Sequence, residues 1–520
     1  MLAYGLGVAR PLWVDEEMIL LNVRDRPWSQ IAGPLWLDQS APLGWFVLER
    51  GMVLVFGEGE RAARFLPVAF GAATLIAALW IGLRWMTPLG AIVLAAMCAT
   101  GEWLVFFTLE LKHYSSDAFW ALLLPALAAW VIDPHDRPDD IGGRARTWWL
   151  FAAIGQWLGN GALFVTPALG LLICGFCWRY AGWRGVRTAA LGVAVWLVSF
   201  AINFVATLHP ALANVYLANY WSFAYPPARD GMATTLRWLL NEFRLRAIKP
   251  GGTQLWWTFW LTWAAGITYA IARRRTFGWT YATVPASALV LAFLHIVPTF
   301  ERLALWFVPS LYVGVAICAD AFVDAIRARS STGIIARAAA LIAGIAAVAV
   351  SANVAYRGIR TYSERPQTNY GLDDRSSIRY LLAAHHSGDP ILTTHYGTAA
   401  LWWYGHVDLS GPEQGTRLTD GSPVYEVKYP DQTECRMWDA ELARTLAGHT
   451  RADVYLGFRA NVEPDNFADL VLSELSKRGQ MVGYKEYGRE GQIATFDFTR
   501  VTTHQKIVPG CISIRRARRW

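Results

Sequence analysis

Charge is scarce in this 520-residue chain: Asp, Glu, Lys and Arg make up 17% of it against 54% hydrophobic residues, and tryptophan alone occurs 27 times. An ordinary soluble domain carries about a quarter charged residues, so that class is excluded. Cysteine is also rare, six in all, too few for a disulfide scaffold. Cys98, Cys174, Cys177 and Cys318 fall inside apolar runs, so the Cys174-Gly175-Phe176-Cys177 stretch reads as helix packing and not as a metal site. Cys435 and Cys511 lie in the polar C-terminal region and are free to pair if that region sits in an oxidising compartment. In that region no Gly-x-Gly-x-x-Gly or Walker-type loop opens a helix, which leaves nucleotide binding unsupported. No cleavable signal peptide is found. The net charge of +7 does not argue for nucleic acid, because the arginines gather in short loops between apolar runs, where they fix orientation.

What is present is a succession of long apolar runs. A run of about 17 to 25 residues crosses a bilayer core of about 30 Å. The clear ones are 65–85, 89–107, 118–132, 186–208, 255–272, 279–297, 303–323 and 333–354. The stretch 148–178 is too long for one span, and Gly159-Asn160-Gly161 breaks it into two. Residues 1–12 are too short to cross, so a further helix ahead of them is expected. Arg84, Arg137/Arg144/Arg146, Arg179/Arg184/Arg187, Arg273-Arg274-Arg275 and Arg327/Arg329 fall in alternate loops, which assigns those loops to the cytoplasm. Residues 13–64, 110–117, 207–254, 298–302 and everything after about 356 then share the opposite side. The apolar stretch 42–56 is interrupted by Glu49 and Arg50 and would invert every later loop if it crossed, so it reads as an amphipathic helix in the interface.

The expected fold is mainly α: a polytopic bundle of about 10 to 12 spans over residues 1–355, then an extracytoplasmic α/β domain over 356–520. In that domain 376–385 and 466–478 read as helices, and 390–393, 454–458 and 493–498 as strands. The closing Arg515-Arg516-Ala517-Arg518-Arg519-Trp520 reads as a solvated, frayed end.

Four polar groups gather on the non-cytoplasmic side: Asp15-Glu16; Asp38-Gln39-Ser40; the run Glu110, Lys112, His113, Tyr114, Asp117; and Glu301-Arg302. Singly, each is a solvated loop or a helix cap, with Lys112 snorkelling and Arg302 anchored at headgroups. Together, charges so close to a bilayer are expensive unless they pair or line a wet cavity, and that favours a site. The aromatic loop 207–254, with Tyr216, Tyr220, Trp221 and Tyr225, either covers such a cavity or anchors at the interface, and anchoring is the simpler reading.

At this point the chain resembles a family. The order Trp13-Val14-Asp15-Glu16, Ser40-Ala41-Pro42-Leu43-Gly44-Trp45 and Phe56-Gly57-Glu58-Gly59-Glu60-Arg61-Ala62-Ala63-Arg64-Phe65-Leu66-Pro67 is similar to the N-terminal half of GT-C glycosyltransferases. Within them it is nearest the protein O-mannosyltransferase and lipid A aminoarabinose transferase group. The resemblance spans residues 10–355 and is strongest before 135. It implies an inner-membrane enzyme that takes a sugar from a polyprenyl phosphate and passes it to a protein, lipid or glycan acceptor outside the cytoplasm. It maps an acidic residue of the first outer loop onto Asp15, with Glu16 beside it, and charged residues of the second onto Glu110, Lys112 and His113. Where the group often reads acidic-Lys-Pro-Pro, this chain has Asp38-Gln39-Ser40-Ala41-Pro42, without the Lys and one Pro.

The residue types fit that chemistry independently, since transfer from a lipid phosphate needs a base for the acceptor proton and cations for the departing phosphate. Asp15 is the expected general base, with Glu16 and Glu110 in support. Lys112, His113 and Arg302 are expected at the donor phosphate, and Asp38 and Tyr114 at the acceptor or in support. Direct displacement predicts inversion without a covalent intermediate. A divalent cation on Asp15 and Glu16 is conceivable, but the second outer loop has no Asp-x-Asp and Lys112 supplies positive charge, so no cofactor is expected. The competing class, a transporter or flippase of lipid-linked sugars, would show paired repeats and broken midplane helices; no such halves are visible.

Overall fold

The computed structural model describes residues 2–133, 141–273, 276–327, 334–364, 371–405, 416–427, 442–458, 467–487 and 491–500. It divides into two compact units that are not contiguous along the chain. The first comprises Met1–Gly7, Trp28–Pro34 and Ser40–Arg365; the second comprises Val8–Pro27, Leu35–Gln39 and Pro366–Trp520. Cys435, Cys511, the basic tail and the loop arginines Arg137, Arg274, Arg275 and Arg329 lie outside the described residues.

The first unit is helical. Among the described residues, six helices are long and apolar enough to cross a membrane: Glu60–Trp85, Tyr114–Ile132, Asn160–Leu212, Thr276–Phe293, Glu301–Arg327 and Arg337–Glu364. The pair Pro88–Thr100 and Glu102–Thr108, bent by 52°, makes a seventh if counted as one span. The chain is a multi-pass membrane protein, and Leu83, Leu171, Ile76 and Ile92 on its outer faces suit a hydrocarbon solvent. Gly182 interrupts the 160–203 helix at φ 54 and ψ −148, in the arginine-bearing stretch that separates the two apolar runs there. Buried charge is handled locally: Asp320 accepts from Thr87 N at 2.9 Å and Thr87 Oγ1 at 2.7 Å, closing the start of the helix that opens with Pro88.

The helix Leu43–Phe56 forms where expected, but its polarity is reversed. Val47, Leu48, Leu54, Val55 and Phe56 are exposed, while Trp45, Phe46, Glu49, Arg50 and Val53 are buried. An interfacial helix turns its charges to water; this one turns them into the protein.

The second unit is built on a six-stranded mixed sheet. Its strands are β1 (Ile391–Thr393), β2 (Thr416–Arg417), β3 (Pro423–Glu426), β4 (Arg451–Leu456), β5 (Gln480–Tyr487) and β6 (Gly491–Asp497), in the order β2-β3-β1-β4-β6-β5. β1 runs parallel to β3 and β4, whereas the β4-β6-β5 side is antiparallel. β4 and β6 are buried along almost their whole length, as central strands covered on both faces should be. Asp373 caps the helix Asp374–Ala384 by accepting from Ser376 N at 3.1 Å, and Thr394 caps His395–Tyr404 by accepting from Gly397 N at 3.1 Å. The helix Val14–Asp25 docks on His395–Tyr404: Leu12 N donates to the Tyr404 hydroxyl at 2.9 Å, and Arg24 donates to Trp402 O at 3.1 Å. Its Met18, Ile19, Leu20, Leu21 and Val23 are at most 3% exposed, and each contributes about 2 kcal/mol by burial.

Candidate functional site

In the first unit the polar run 110–117 joins the end of Glu102–Thr108 to the start of Tyr114–Ile132. A tight turn, Lys112 N to Glu110 O at 2.8 Å, reverses the chain, and Asp117 N bonds His113 O at 2.9 Å to begin the next helix. Glu110, Lys112, His113, Tyr114 and Asp117 are all buried. So many polar groups in one apolar bundle cost free energy unless they satisfy one another or serve a ligand.

The partners come from the Gly159 break. Asp117 Oδ1 accepts from Gly161 N at 3.3 Å, and Asn160 Nδ2 donates to His113 Nε2 at 3.2 Å. Glycine at 161 is required: a Cβ there would lie 2.1 Å from Asp117 O. Burial, with Lys112 next in line, pushes the His113 imidazole down to about 3, so His113 is neutral and its 3.5 Å approach to Asp117 is not an ion pair. His113 also packs edge-on against Trp45 at 6.1 Å and beside Tyr114 at 5.4 Å.

Arg302 stands on Glu301–Phe307, which packs against Tyr114–Ile132. Its guanidinium lies 5.8 Å over the Trp221 ring, and neighbouring Glu301 pairs with Lys249 at 3.0 Å. The aromatic loop is seated on this segment, with Trp221 and Phe223 against Phe300 at 5.5 and 5.3 Å and Thr299 N bonded to Ala224 O at 3.1 Å.

The other predicted residues fall in the second unit. Asp15 is partly exposed in the first turn of Val14–Asp25. Glu16 is fully buried and reaches back to cap its own helix, accepting from Trp13 N at 3.2 Å. Asp38 adopts the left-handed backbone at φ 53, next to Leu37 at φ 59. That segment is held to the helix by Asn22, which accepts from Trp36 N at 2.8 Å and donates to Trp36 O at 3.1 Å.

Three groups carry no role in the sequence reading. Asp117 and Asn160 complete the cluster around His113. In the second unit, Glu17 and Asp374 bury their carboxyls together, with the Tyr455 hydroxyl donating to Asp374. Burial foremost, then Asp374, raises Glu17 well above the ordinary carboxyl range; burial raises Asp374 to about 8. The pair therefore retains a proton. Ser422, His385 and Asp453 also line up, with His385 3.0 Å from Ser422 Oγ and 2.8 Å from Asp453. The order is that of a nucleophile, base and acid, but Ser422 is fully buried and its Oγ already accepts from Gly388 N at 2.7 Å. No substrate reaches it, and the chain of bonds ties the turn 420–422 to β4. Among the described residues no set of three His, Cys, Asp or Glu side chains is disposed to hold a metal ion.

No family model and no curated protein matches the chain. Among solved structures it is similar to ArnT from Cupriavidus metallidurans in the apo state, at 13% identity and a TM-score of 0.54, covering 95% of this chain and 96% of that one. It is similar also to the same protein bound to undecaprenyl phosphate, at 13% identity and a TM-score of 0.56 over the same shares. The chain has the fold seen in ArnT.

Proposed function

We propose that this chain, on its ArnT-like fold, is a membrane glycosyltransferase that moves a sugar from a polyprenyl phosphate to a hydroxyl outside the cytoplasm. The observation that carries the reading is the buried run Glu110–Asp117: a cation, two carboxyls and a neutral imidazole kept at the end of an apolar span. Undecaprenyl phosphate, the molecule bound to ArnT in one of the similar structures, supplies the donor class.

In the proposed step the acceptor oxygen attacks the anomeric carbon and its proton passes to Asp15. The bond from that carbon to the phosphate oxygen breaks, and polyprenyl phosphate departs with the electron pair. Lys112 and Arg302 offset the charge gathering on the phosphate, Arg302 through its planar fork. His113, being neutral, contributes a hydrogen bond and not charge. Glu110 orients Lys112, Glu16 shapes the helix start that carries Asp15, and Asp38 and Tyr114 support the acceptor. One displacement inverts the anomeric centre. The active site and the sheet-bearing unit face away from the cytoplasm, by the loop arginines.

The test supplies polyprenyl-phosphate sugars and acceptor hydroxyls to the purified protein and follows free polyprenyl phosphate. Release that depends on acceptor is expected, with a loss of about 100-fold or more in Asp15→Asn. Full turnover in that variant, or a trapped glycosyl-enzyme adduct, would refute the mechanism.

A further inference from the structure

The inward face of Leu43–Phe56 carries polar atoms that nothing among the described residues satisfies. Glu49 is fully buried, and neither carboxyl oxygen has a hydrogen-bond partner among the described residues. Trp45, one turn earlier on the same face, is fully buried with its indole N–H equally without an acceptor. Arg50, the nearest cation in sequence, is turned over the Trp28 ring at 4.3 Å. A buried polar atom left unpaired is costly, and several on one face mark a place where a ligand completes them.

That face belongs to the cluster described above. Gly44 presses the helix onto the end of Ile141–Leu158, where a Cβ would lie 2.7 Å from Trp157 O. Three residues on, Asn160 reaches His113, and the His113 ring meets Trp45. With Nε2 engaged by Asn160, the imidazole proton sits on Nδ1, which likewise has no partner among the described residues. The unsatisfied set is mixed. Trp45 and His113 offer donors, while a carboxyl always keeps at least one oxygen that can only accept. Phosphate oxygens only accept and would leave Glu49 short. Sugar hydroxyls donate and accept.

We propose that Trp45, Glu49 and His113 Nδ1 form a subsite for the hydroxyl groups of the transferred sugar. This rests on the glycosyltransferase reading and assigns to Leu43–Phe56 the recognition of the sugar, separate from the phosphate at Lys112.

The test uses the full-length protein in nanodiscs. Binding is measured for undecaprenyl phosphate and for undecaprenyl phosphate bearing mannose, glucose or arabinose. Wild type is expected to bind one glycosylated lipid more tightly than the bare one. Glu49→Ala and Trp45→Phe should each weaken that lipid about tenfold, the loss of one or two hydrogen bonds, and change undecaprenyl phosphate less than about twofold. Glu49→Gln, which keeps a donor and an acceptor, should recover most of the difference, and no variant should melt below wild type by enough to explain the loss. Equal weakening of both lipids, or of neither, overturns the subsite. If Lys112→Ala meanwhile weakens the bare lipid, the glycosyltransferase reading stands without it. Wild type that binds neither class of lipid refutes both.

Discussion

Both units bury carboxyl groups, and they treat them differently. In the sheet-bearing unit Tyr455 donates to Asp374, Glu17 lies beside Asp374, and Asp453 accepts from Thr495 Oγ1 at 2.7 Å as well as facing His385. In the helical unit Glu49 has no such partner among the described residues, and His113 and Trp45 each keep a polar atom that none of them engages. Burial alone therefore does not separate structure from function here. What separates Asp374 and Asp453 from Glu49 is completion: a closed network holds a fold together, and an open one waits for something to bind.

The sharpest way to break this contrast is to remove the cation that lies next to His113 in sequence. Lys112→Met should lower kcat/KM by about 100- to 1,000-fold, the usual effect of losing one group that stabilises transition-state charge. Its melting temperature should move less than that of the variants described next. A variant that unfolds but retains its specific activity would place Lys112 with the structural residues instead.

The closed network should respond in the opposite sense. Asp374→Ala strands the Tyr455 hydroxyl and leaves Glu17 without its partner, at a cost of about 3 kcal/mol. Differential scanning should show the loss in the unit of 366–520, and limited proteolysis should cut earlier there. Activity per folded molecule should fall far less than in Lys112→Met.

The same pair sets a pH dependence whose sign follows from the raised carboxyls. The folded state keeps a proton that the unfolded chain releases in the ordinary carboxyl range, so folding takes up protons between that range and about 8. The contribution is present in full at low pH and is lost as pH rises through the folded value. Glu16 and Asp373 nearby push the same way. Thermal unfolding from pH 5 to pH 9 should show falling stability in wild type and a flatter profile in Glu17→Gln. An unchanged slope would mean that the pair does not hold its proton.

Much of this was legible from residues alone. The apolar runs 65–85, 118–132, 279–297, 303–323 and 333–354 fall on helices long and apolar enough to cross a membrane, but among the described residues six such helices, or seven with the bent pair, stand against the about 10 to 12 expected. Gly159-Asn160-Gly161 was visible as a break, but not as the supplier of His113's and Asp117's partners, which come from 40-odd positions away in sequence. In the sheet, β1, β4 and β6 were readable from their apolar stretches. The strand β5 was not: it lies at the edge of the sheet and carries Lys485 and Glu486, as edge strands do. Docking of Val14–Asp25 on His395–Tyr404 pairs residues almost 400 apart, as in the Leu12 to Tyr404 bond, and no local pattern announces it. Glu49 is the instructive miss. It interrupts an apolar run that reads as an interfacial helix, and only packing reveals that the apolar side faces outward.

Glu49 also offers the finest test of the contrast between the units. If its carboxyl is kept for a ligand, the empty protein bears the cost of burying it, and burial raises it well above the ordinary carboxyl range. Glu49→Leu matches the volume closely and removes the unsatisfied oxygens, so the variant should be more stable by about 1 to 2 kcal/mol, a rise of a few degrees in melting temperature for the helical unit. It should at the same time lose affinity for the glycosylated lipid. Gain of stability joined to loss of binding is the signature of a residue held against the interest of the fold. A fall in melting temperature would instead place Glu49 beside Asp374, as an acid that the structure needs.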